Sequence, residues 1–288
     1  MCKYKNKLEN AFKNEDLEIL IATMNRNSLD FLNQLFPFAS YTGFRLLIVN
    51  QTDENCLLHS DYPNVRVINS FERGLSKSRN LALQNALGKI VLIADDDVIY
   101  PENFQQKIIQ AYNNNTEASI ICFRTQTKEG KLYSKYPAEG KELNSRKLNK
   151  ILSIEVTANR EALQAKNCVY NEWFGLGAKF EDAETLYFLR RAFYSGLKLF
   201  FCPETIVVHE SYSSSDAVAS DRLIYAKMAG FYKRFGFGAY YYLLKYMFFL
   251  IRKNYTPLAQ IKSKFLVGLR GIKDYKFLLN TKADKVYE

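Results

Sequence analysis

Four short apolar segments set the fold class of this 288-residue chain. They comprise residues 17–22, 44–50, 65–68 and 89–94. Each is shorter than a typical helix, and the first, second and fourth are apolar enough to be buried on both faces, as strands of parallel sheets are. Amphipathic stretches between and after them predict helices at residues 28–38, 75–87 and 102–112. The alternation predicts an α/β fold with a mostly parallel central sheet flanked by helices.

The pattern changes in the second half of the chain. Further strands are predicted at residues 119–123, 151–156, 197–202 and 205–209, a short helix at 158–166, and a hairpin or mobile loop at 128–140. From residue 222 onward we expect amphipathic helices, which form a C-terminal helical extension. Because parallel sheets bind ligands beyond the carboxyl ends of their strands, chemistry is expected just after Ala22, Asn50 and Ala94.

Three consecutive aspartates, Asp95, Asp96 and Asp97, directly follow the fourth segment. In extended chain alternate residues share a face, so the first and third are expected to point one way and the second the other. Clustered carboxylates repel one another, and a Mg²⁺ or Mn²⁺ ion relieves this by taking one or two carboxylates together with phosphate oxygens and water. A turn into the next helix would need only one aspartate. The triplet therefore predicts a metal–diphosphate site.

Several motifs resemble, in the same order, those of the family-2 glycosyltransferases, which have the A-type glycosyltransferase fold. They are LEILIATMNR, IVNQTD, RGLSKSRNLALQNALGKIVLIADDD, FGLGAKFEDAE and TIVVHESYSS, and they span about residues 17–215. The chain most resembles the branch that builds bacterial surface polysaccharides. The resemblance implies an inverting, metal-dependent transfer of a sugar from a nucleotide-diphospho-sugar to a hydroxyl group of a glycan or lipid-linked glycan acceptor, with Mn²⁺ or Mg²⁺ as cofactor.

The resemblance also implies which residues form the donor site. The nucleotide-binding set is Thr23, Asn25, Arg26, Asn50, Asp53, Arg79, Asp95 and Asp96, and the metal-binding set is Asp97, Asp95 and His209. Asn50 stands where many relatives carry an acidic residue, which leaves open the base that is read. The loop residues in these sets are also ordinary turn formers, Arg79 could belong to a solvated helix face, and a lone histidine after a strand is often a packing or capping residue.

A second acidic cluster, Glu181, Asp182 and Glu184, follows the glycine-containing loop GLGAKF. Inverting transfer needs a carboxylate that takes the proton of the acceptor hydroxyl. In the family this base is the last member of an acidic pair at a helix start, which favours Asp182, whereas the spacing back from Gly196 favours Glu184. Acidic residues also suit the first turn of a helix for electrostatic reasons alone. The sequence leaves the two candidate bases open.

The net charge of +10 lies entirely in the last part of the chain. Residues 222–288 contain 14 Lys and Arg against 3 Asp and Glu, whereas residues 1–221 are nearly balanced. We therefore expect a nucleotide-sugar-binding and catalytic domain at 1–221 and a basic, aromatic-rich helical region at 222–288. The composition of residues 231–253 is typical of a helix that lies on an anionic membrane surface, and a packed subdomain or homodimer surface is the alternative. No nucleic-acid motif accompanies the charge, so no nucleic-acid partner is expected.

Other features bear on location. Five scattered cysteines favour a reducing compartment, the N-terminal segment has no apolar core typical of a secretory signal, and the longest apolar run, 239–251, is too short to span a bilayer. These features predict a cytoplasmic enzyme, peripheral on the inner face of the cell membrane. A nucleotidyltransferase acting on a sugar phosphate, and a non-catalytic membrane- or nucleic-acid-binding module, are the alternative functions.

Overall fold

The computed structural model describes residues 11–210, 218–284 and 287. The first ten residues lie outside these ranges, so the prediction that the N-terminal segment is no secretory signal falls partly outside the described residues. The end of the motif TIVVHESYSS lies outside them as well. The described residues form two compact units. The first contains residues 11–73, 77–169 and 188–210, and the second contains 74–76, 170–187 and the part from 218 onward.

An eight-stranded sheet is the centre of the first unit, in the order β3-β2-β1-β4-β7-β5-β8-β6. Its strands are β1 (Leu17–Met24), β2 (Leu46–Gln51), β3 (Val65–Ser70), β4 (Ile90–Asp95), β5 (Ile120–Thr127), β6 (Lys141–Glu142), β7 (Val156–Asn159) and β8 (Leu199–His209). The first four strands pair in parallel, as do β5 and β8, whereas β7 is antiparallel to both of its neighbours and β6 is antiparallel to β8. The predicted mostly parallel α/β sheet is confirmed.

Burial explains why the early strands form the middle of this sheet. Every residue from Leu17 to Thr23 is buried, and so is every residue of β2 and the stretch from Ile90 to Ala94. Strands that bury both faces need helices on both sides of the sheet. Phe36, Tyr100 and Phe104 stack together in the core that covers one of these faces.

The helices flank the sheet and continue to the end of the chain. They are α1 (Leu32–Leu35), α2 (Leu75–Asn85), α3 (Phe104–Asn114), α4 (Arg160–Ala165), α5 (Glu184–Tyr194), α6 (Asp221–Phe235), α7 (Gly238–Arg252) and α8 (Ile261–Asn280). The first is much shorter than the predicted 28–38, because the residue before Pro37 is excluded from helical backbone angles and Ser28 and Asp30 form a local side-chain turn.

Two strand predictions were wrong in detail. Residues 153–155 form a short 3-10 helix, and the strand begins only at Val156. Residues 197–202 and 205–209 belong to one strand, β8, rather than two. Pro203 lies in its interior, where the register with β5 shifts, so the missing proline N–H falls at an irregularity of the ladder.

Helices α6, α7 and α8 form the core of the second unit together with residues 170–187. The charge distribution had placed 170–187 in the catalytic domain, whereas their contacts belong here. A side chain at Gly271 of α8 would bring its Cβ to 2.2 Å from the Tyr225 carbonyl oxygen of α6, so glycine permits this close helix contact. Among the described residues, no helix is long and apolar enough to cross a membrane.

The last described residues are tied into the same unit through Asp284, whose side chain is fully buried. Its carboxylate accepts hydrogen bonds from Asn171 Nδ2 at 2.6 Å and from the Tyr275 hydroxyl. It also pairs with Lys233 Nζ at 2.5 Å. The indole Nε1 of Trp173 donates to the Ala283 carbonyl at 3.2 Å.

Candidate active site

Most of the predicted donor-site residues collect at one edge of the sheet in the first unit. Since β1 lies between β2 and β4, the carboxyl ends of these three strands meet. An antiparallel bridge between Ile99 and Val208, with N–H···O distances of 2.9 and 2.7 Å, brings the segment after the aspartates to the end of β8. The edge therefore contains the residues at these strand ends: Thr23, Asn50, Asp95 and His209.

Asp96 is held by the turn that follows β1. Its Oδ2 accepts a hydrogen bond from Thr23 Oγ1 and two from Arg26, from Nε at 3.1 Å and from Nη2 at 2.8 Å. The guanidinium of Arg26 also lies 5.0 Å from the centre of the Phe31 ring. The structure thus brings together three residues predicted for nucleotide binding.

Asp95 faces a different cation. Its Oδ1 accepts from Arg79 Nη2 at 2.9 Å and its Oδ2 from Ser153 Oγ at 3.3 Å. The Arg79 side chain is only 2% exposed, so it does not belong to a solvated helix face. A buried guanidinium beside a carboxylate compensates a charge that would otherwise be costly to bury.

Asp97 is the most exposed of the three aspartates, with 67% of its side chain accessible. Its Oδ2 lies 3.5 Å from His209 Nε2, and the other ring nitrogen of His209 lies 2.8 Å from the Glu210 carbonyl oxygen. The contact with His209 lowers the pKa of Asp97. The same contact raises the pKa of His209, because it favours the charged imidazolium.

The three aspartates therefore differ more than the triplet suggested. Strand β4 ends at Asp95, so the alternation expected for extended chain does not continue through Asp96 and Asp97. Each carboxylate meets a partner from a different element, and arginines compensate the first two. Much of the repulsion that predicted a metal ion is thus relieved by protein cations.

A metal site here would rest on few protein ligands. Among the described residues, no group of three or more His, Cys, Asp and Glu side chains is arranged to hold a metal ion. Asp97 and His209 supply one carboxylate and one imidazole, and Mg²⁺ or Mn²⁺ commonly takes only one or two protein groups and completes its shell with phosphate oxygens and water. The pair therefore fits an ion that arrives with a diphosphate, whereas Asp95 is already engaged by Arg79.

The remaining predicted nucleotide-binding residues lie in the loops after β1 and β2. Asn25 has a φ of 53°, a conformation that asparagine tolerates better than most residues. Asp53 is exposed, and its Oδ1 accepts from the Asn55 N–H at 2.9 Å. Asn50 is fully buried and bonds to the backbone of Arg26 twice, accepting from its N–H at 3.0 Å and donating to its carbonyl at 2.9 Å. These contacts favour a positioning role for Asn50, and its predicted contact with the nucleobase stays a prediction.

The acidic loop, Glu181–Glu184, belongs to the second unit. Glu181 is fully engaged in structure: its Oε1 accepts from the Gly177 N–H at 3.1 Å and its Oε2 pairs with Arg222 at 2.9 Å. Glu184 is the first residue of α5, and its Oε1 accepts from Thr185 Oγ1 at 3.2 Å. Both residues therefore have structural contacts that do not require a catalytic role.

Asp182 is different from its neighbours in backbone and in charge. It precedes Ala183, whose φ of 64° is unusual for a residue with a side chain, and its N–H bonds to the Phe180 carbonyl at 2.8 Å. Burial raises the pKa of Asp182, Lys227 opposes this effect, and Glu184 adds to it. Lys227 Nζ lies 4.0 Å from Asp182 Oδ2. A strained turn that presents a carboxylate with a raised pKa is typical of a general base.

Three residues that contact the predicted site residues were not predicted from the sequence. Ser153 contacts Asp95 from a segment that was predicted to be a strand, and Arg222 and Lys227 contact the acidic loop from a region assigned to membrane binding. No local motif marks any of them. Only the long-range packing brings residues more than 40 positions apart in sequence into contact.

Solved structures of S. aureus TarS are among those similar to this chain. TarS 1–349 aligns with a TM-score of 0.51 and 14% identity, over 90% of this chain and 91% of that one. The same fragment in complex with UDP-GlcNAc aligns with a TM-score of 0.51 and 13% identity over the same shares. A longer TarS chain aligns with a TM-score of 0.49 and 18% identity, and the match covers 74% of this chain and only 39% of that one.

At 13–14% identity the TarS 1–349 structures show the fold alone. No curated protein matches the chain significantly. The model of the family described as Glycosyl transferase family 2 matches residues 12–161, slightly more than half of the chain. The chain has an A-type glycosyltransferase fold with a C-terminal helical extension, as predicted, and it belongs to glycosyl transferase family 2.

Proposed function

We propose that this chain is an inverting glycosyltransferase that moves a sugar from a nucleotide-diphospho-sugar to a hydroxyl group of a glycan or lipid-linked glycan, in the synthesis of a cell-surface polysaccharide. The observation that supports this proposal most directly is that the three aspartates have different partners. Arg26 and Arg79 compensate Asp96 and Asp95, and Asp97 is exposed beside His209. The similarity to TarS bound to UDP-GlcNAc supports a nucleotide-sugar donor.

On the donor side, the residues of the sheet edge bind and orient. Thr23, Arg26 and Asp96 form one hydrogen-bonded group that can offer polar atoms to the ribose and base. Asp97 and His209 would hold Mn²⁺ or Mg²⁺, which supplies compensation for the negative charge of the leaving diphosphate when bound. A neutral His209 would serve as the metal ligand, whereas a protonated His209 would offset phosphate charge directly in the absence of the metal.

On the acceptor side, we assign the base to Asp182. Its oxygen takes the proton of the attacking hydroxyl as the bond to the anomeric carbon forms and the bond to the diphosphate breaks. A raised pKa makes the carboxylate a stronger base, and Lys227 at 4.0 Å keeps a cation near the charged form. Glu181 is engaged by Arg222 and Gly177, which leaves Glu184 as the alternative.

Product analysis tests this reaction. The full chain is incubated with UDP-GlcNAc, other UDP-sugars and GDP-sugars, with Mn²⁺ and a panel of glycan acceptors. We expect release of the nucleoside diphosphate and a product of inverted anomeric configuration. Release of pyrophosphate from a nucleoside triphosphate and a sugar phosphate, with no transfer from any nucleotide sugar, would instead establish a nucleotidyltransferase.

We also propose that helix α7 rests on an anionic membrane surface. Four apolar or aromatic residues at helical spacing are each at least 60% exposed: Tyr241, Leu244 and Phe248 of α7, and Phe237, which directly precedes it. The opposite side of the helix buries Leu243 and Met247 in the core, so α7 is apolar on two faces. The cations of residues 222–288 complement anionic lipid headgroups.

Vesicle co-sedimentation tests the membrane contact. We expect the chain to bind phosphatidylglycerol vesicles at low salt, and Tyr241→Ser with Phe248→Ser to weaken the binding. The control pair, Leu87→Ser with Tyr194→Ser, removes equally exposed apolar side chains of the first unit. Equal binding by both pairs, or a homodimer in solution that only the α7 pair disrupts, would refute the membrane role.

A further inference from the structure

A pocket of about 410 Å³ lies at the β6 edge of the first unit, apart from the residues discussed so far. Its floor is apolar: Leu143 and Phe201 are buried, and the Tyr136 ring stacks on Phe201 with 6.0 Å between centroids and 8° between planes. Its rim consists of five cationic residues, Lys135, Lys141, Arg146, Lys147 and Lys150. No carboxylate is among the described residues that line it. We call it the basic pocket.

The rim belongs to ordered structure. Lys141 pairs with Phe201 across the antiparallel β6–β8 ladder. Two residues later, the N–H of Leu143 donates to the Leu199 carbonyl at 2.8 Å. Asn144 then accepts from the backbone N–H groups of Arg146 and Lys147, at 3.2 and 3.0 Å. The sheet edge and this turn therefore fix the backbone that carries the cations.

The cations on the rim are close enough to disfavour one another. The pKa of Lys141 is lowered, first by its side-chain contact with Lys147, while Glu139 acts in the opposite direction. Two ammonium groups that face each other repel, and an anion between them removes the repulsion. A multiply charged oxyanion suits such a rim better than a single carboxylate, because lysine and arginine together can donate to several oxygens.

The basic pocket shares no lining residue with the aspartate edge, by which we mean the strand ends that carry Asp95, Asp97 and His209. The two sites approach each other through the loop after β5, where Tyr133, next to Ser134 of the pocket, has its ring 6.1 Å from that of His209. Phe201 and His209 belong to the same strand and are eight residues apart, which corresponds to roughly 25 Å along extended chain. Strands β7 and β5 also lie between β4 and β8 in the sheet. An anion in the pocket is therefore a different group from a diphosphate held by Asp97 and His209.

We propose that the basic pocket binds a phosphorylated saccharide, with the phosphate on the cationic rim and the sugar ring against Tyr136, which packs on the buried Phe201 ring. A volume of about 410 Å³ is in the range of small-ligand pockets, and an aromatic ring offers a flat apolar surface to the C–H face of a sugar. The site does not depend on the proposed transfer reaction, since it uses none of the same residues.

Calorimetric titration of the full chain with glucose 6-phosphate tests the site, with glucose and inorganic phosphate as separate probes. We expect glucose 6-phosphate to bind more tightly than either, and Lys141→Ala with Lys147→Ala to weaken it by about tenfold or more. Lys13→Ala with Lys166→Ala removes the same charge from exposed positions outside the pocket, and the affinity of this variant should equal that of the unchanged chain.

Competition separates this site from the donor site. Saturating UDP with Mn²⁺ should leave the affinity for glucose 6-phosphate unchanged. Displacement by UDP, equal weakening by both lysine pairs, or no binding at low salt would overturn the proposal. Inorganic phosphate that binds as tightly as glucose 6-phosphate would overturn its saccharide part. Loss of transferase activity with intact glucose 6-phosphate binding would count against the proposed function alone.

Discussion

Asp95 and Asp96 of the first unit and Asp182 of the acidic loop are the same chemical group in two different environments. Asp95 and Asp96 each accept a hydrogen bond from an arginine within 3 Å, so a protein cation compensates each carboxylate. Burial raises the pKa of Asp182, and its nearest described cation is 4.0 Å away. A carboxylate that must hold a ligand benefits from staying charged, whereas one that must accept a proton benefits from a higher pKa.

The largest effect is expected at the acidic loop. Asp182→Asn keeps the size of the side chain but cannot accept the proton, so transfer should fall by about 10²–10⁴-fold. Donor binding, measured by calorimetry with UDP, should be unchanged. Glu184→Gln is the matched control on the same turn and should retain most activity. If Glu184→Gln loses transfer and Asp182→Asn does not, the base is Glu184.

The next effect is expected at the exposed aspartate. Asp97→Asn removes the one carboxylate of the edge that has no arginine partner among the described contacts, so Mn²⁺-dependent UDP binding should weaken by about tenfold or more. Asp61→Asn makes the same charge change at another exposed position of the first unit and should leave binding intact. Equal Mn²⁺ dependence in both variants would remove Asp97 from the metal site.

The free energy of unfolding should depend more on the Arg79–Asp95 pair, whose arginine is buried, than on the exposed Lys77–Glu72 pair. Arg79→Met leaves Asp95 without its arginine, and because Asp95 is 33% exposed we expect a loss of about 2–3 kcal/mol in the free energy of unfolding. Lys77→Met breaks the exposed pair with Glu72 and should cost less than about 1 kcal/mol. Denaturant titration measures both, and similar losses would show that the buried pair adds nothing special.

Another carboxylate of the first unit, that of Glu155, shows the effect of burial. It is fully buried, its described partners are Tyr136, Thr125 and the Leu152 N–H, and burial raises its pKa to about 7. The folded chain therefore keeps the Glu155 carboxyl group protonated at pH values above the pKa that it has in the unfolded chain. The stability that this bound proton contributes is lost as pH rises through 7. We expect stability to fall by about 2 kcal/mol from pH 5 to 7 from this group, and Glu155→Gln to remove that slope.

The smallest effect concerns the cation near the base. Lys227 opposes the burial that raises the pKa of Asp182, so Lys227→Met should raise that pKa further. The acidic limb of the kcat/KM profile should then move to higher pH, with little change at the optimum. An unshifted limb would mean that Lys227 does not tune the base.

The fold was largely predictable because its evidence is local. Short apolar runs such as LEILIA and KIVLIA, bounded by polar residues, favour buried strands, and their alternation with helices favours a parallel sheet. The prediction failed where tertiary structure decides, as at Pro203, which lies inside a strand that the sequence divided into two. Short helices near prolines, such as α1, are likewise poorly marked.

The site was predictable as a set of positions but not as a set of partners. The motifs identified Asp95, Asp96 and Asp97, but only the folded chain assigns Arg79 to the first and Arg26 to the second. The same holds for the acidic loop, where the choice between Asp182 and Glu184 was open in the sequence. Burial and the positive φ of Ala183 now favour Asp182, and neither quantity can be read from residue types alone.

The buried carboxylate of Asp284 makes this residue a structural component of the second unit. Removal of the last few residues, by a protease or by a stop codon, would leave the Lys233 ammonium, only 16% exposed, without its carboxylate, and Asn171 without its acceptor. Shortened forms would therefore lose packing in the core that carries the acidic loop and helix α7. A truncation would disturb the proposed base and the proposed membrane contact together, so single substitutions on the exposed face of α7 are the appropriate probe.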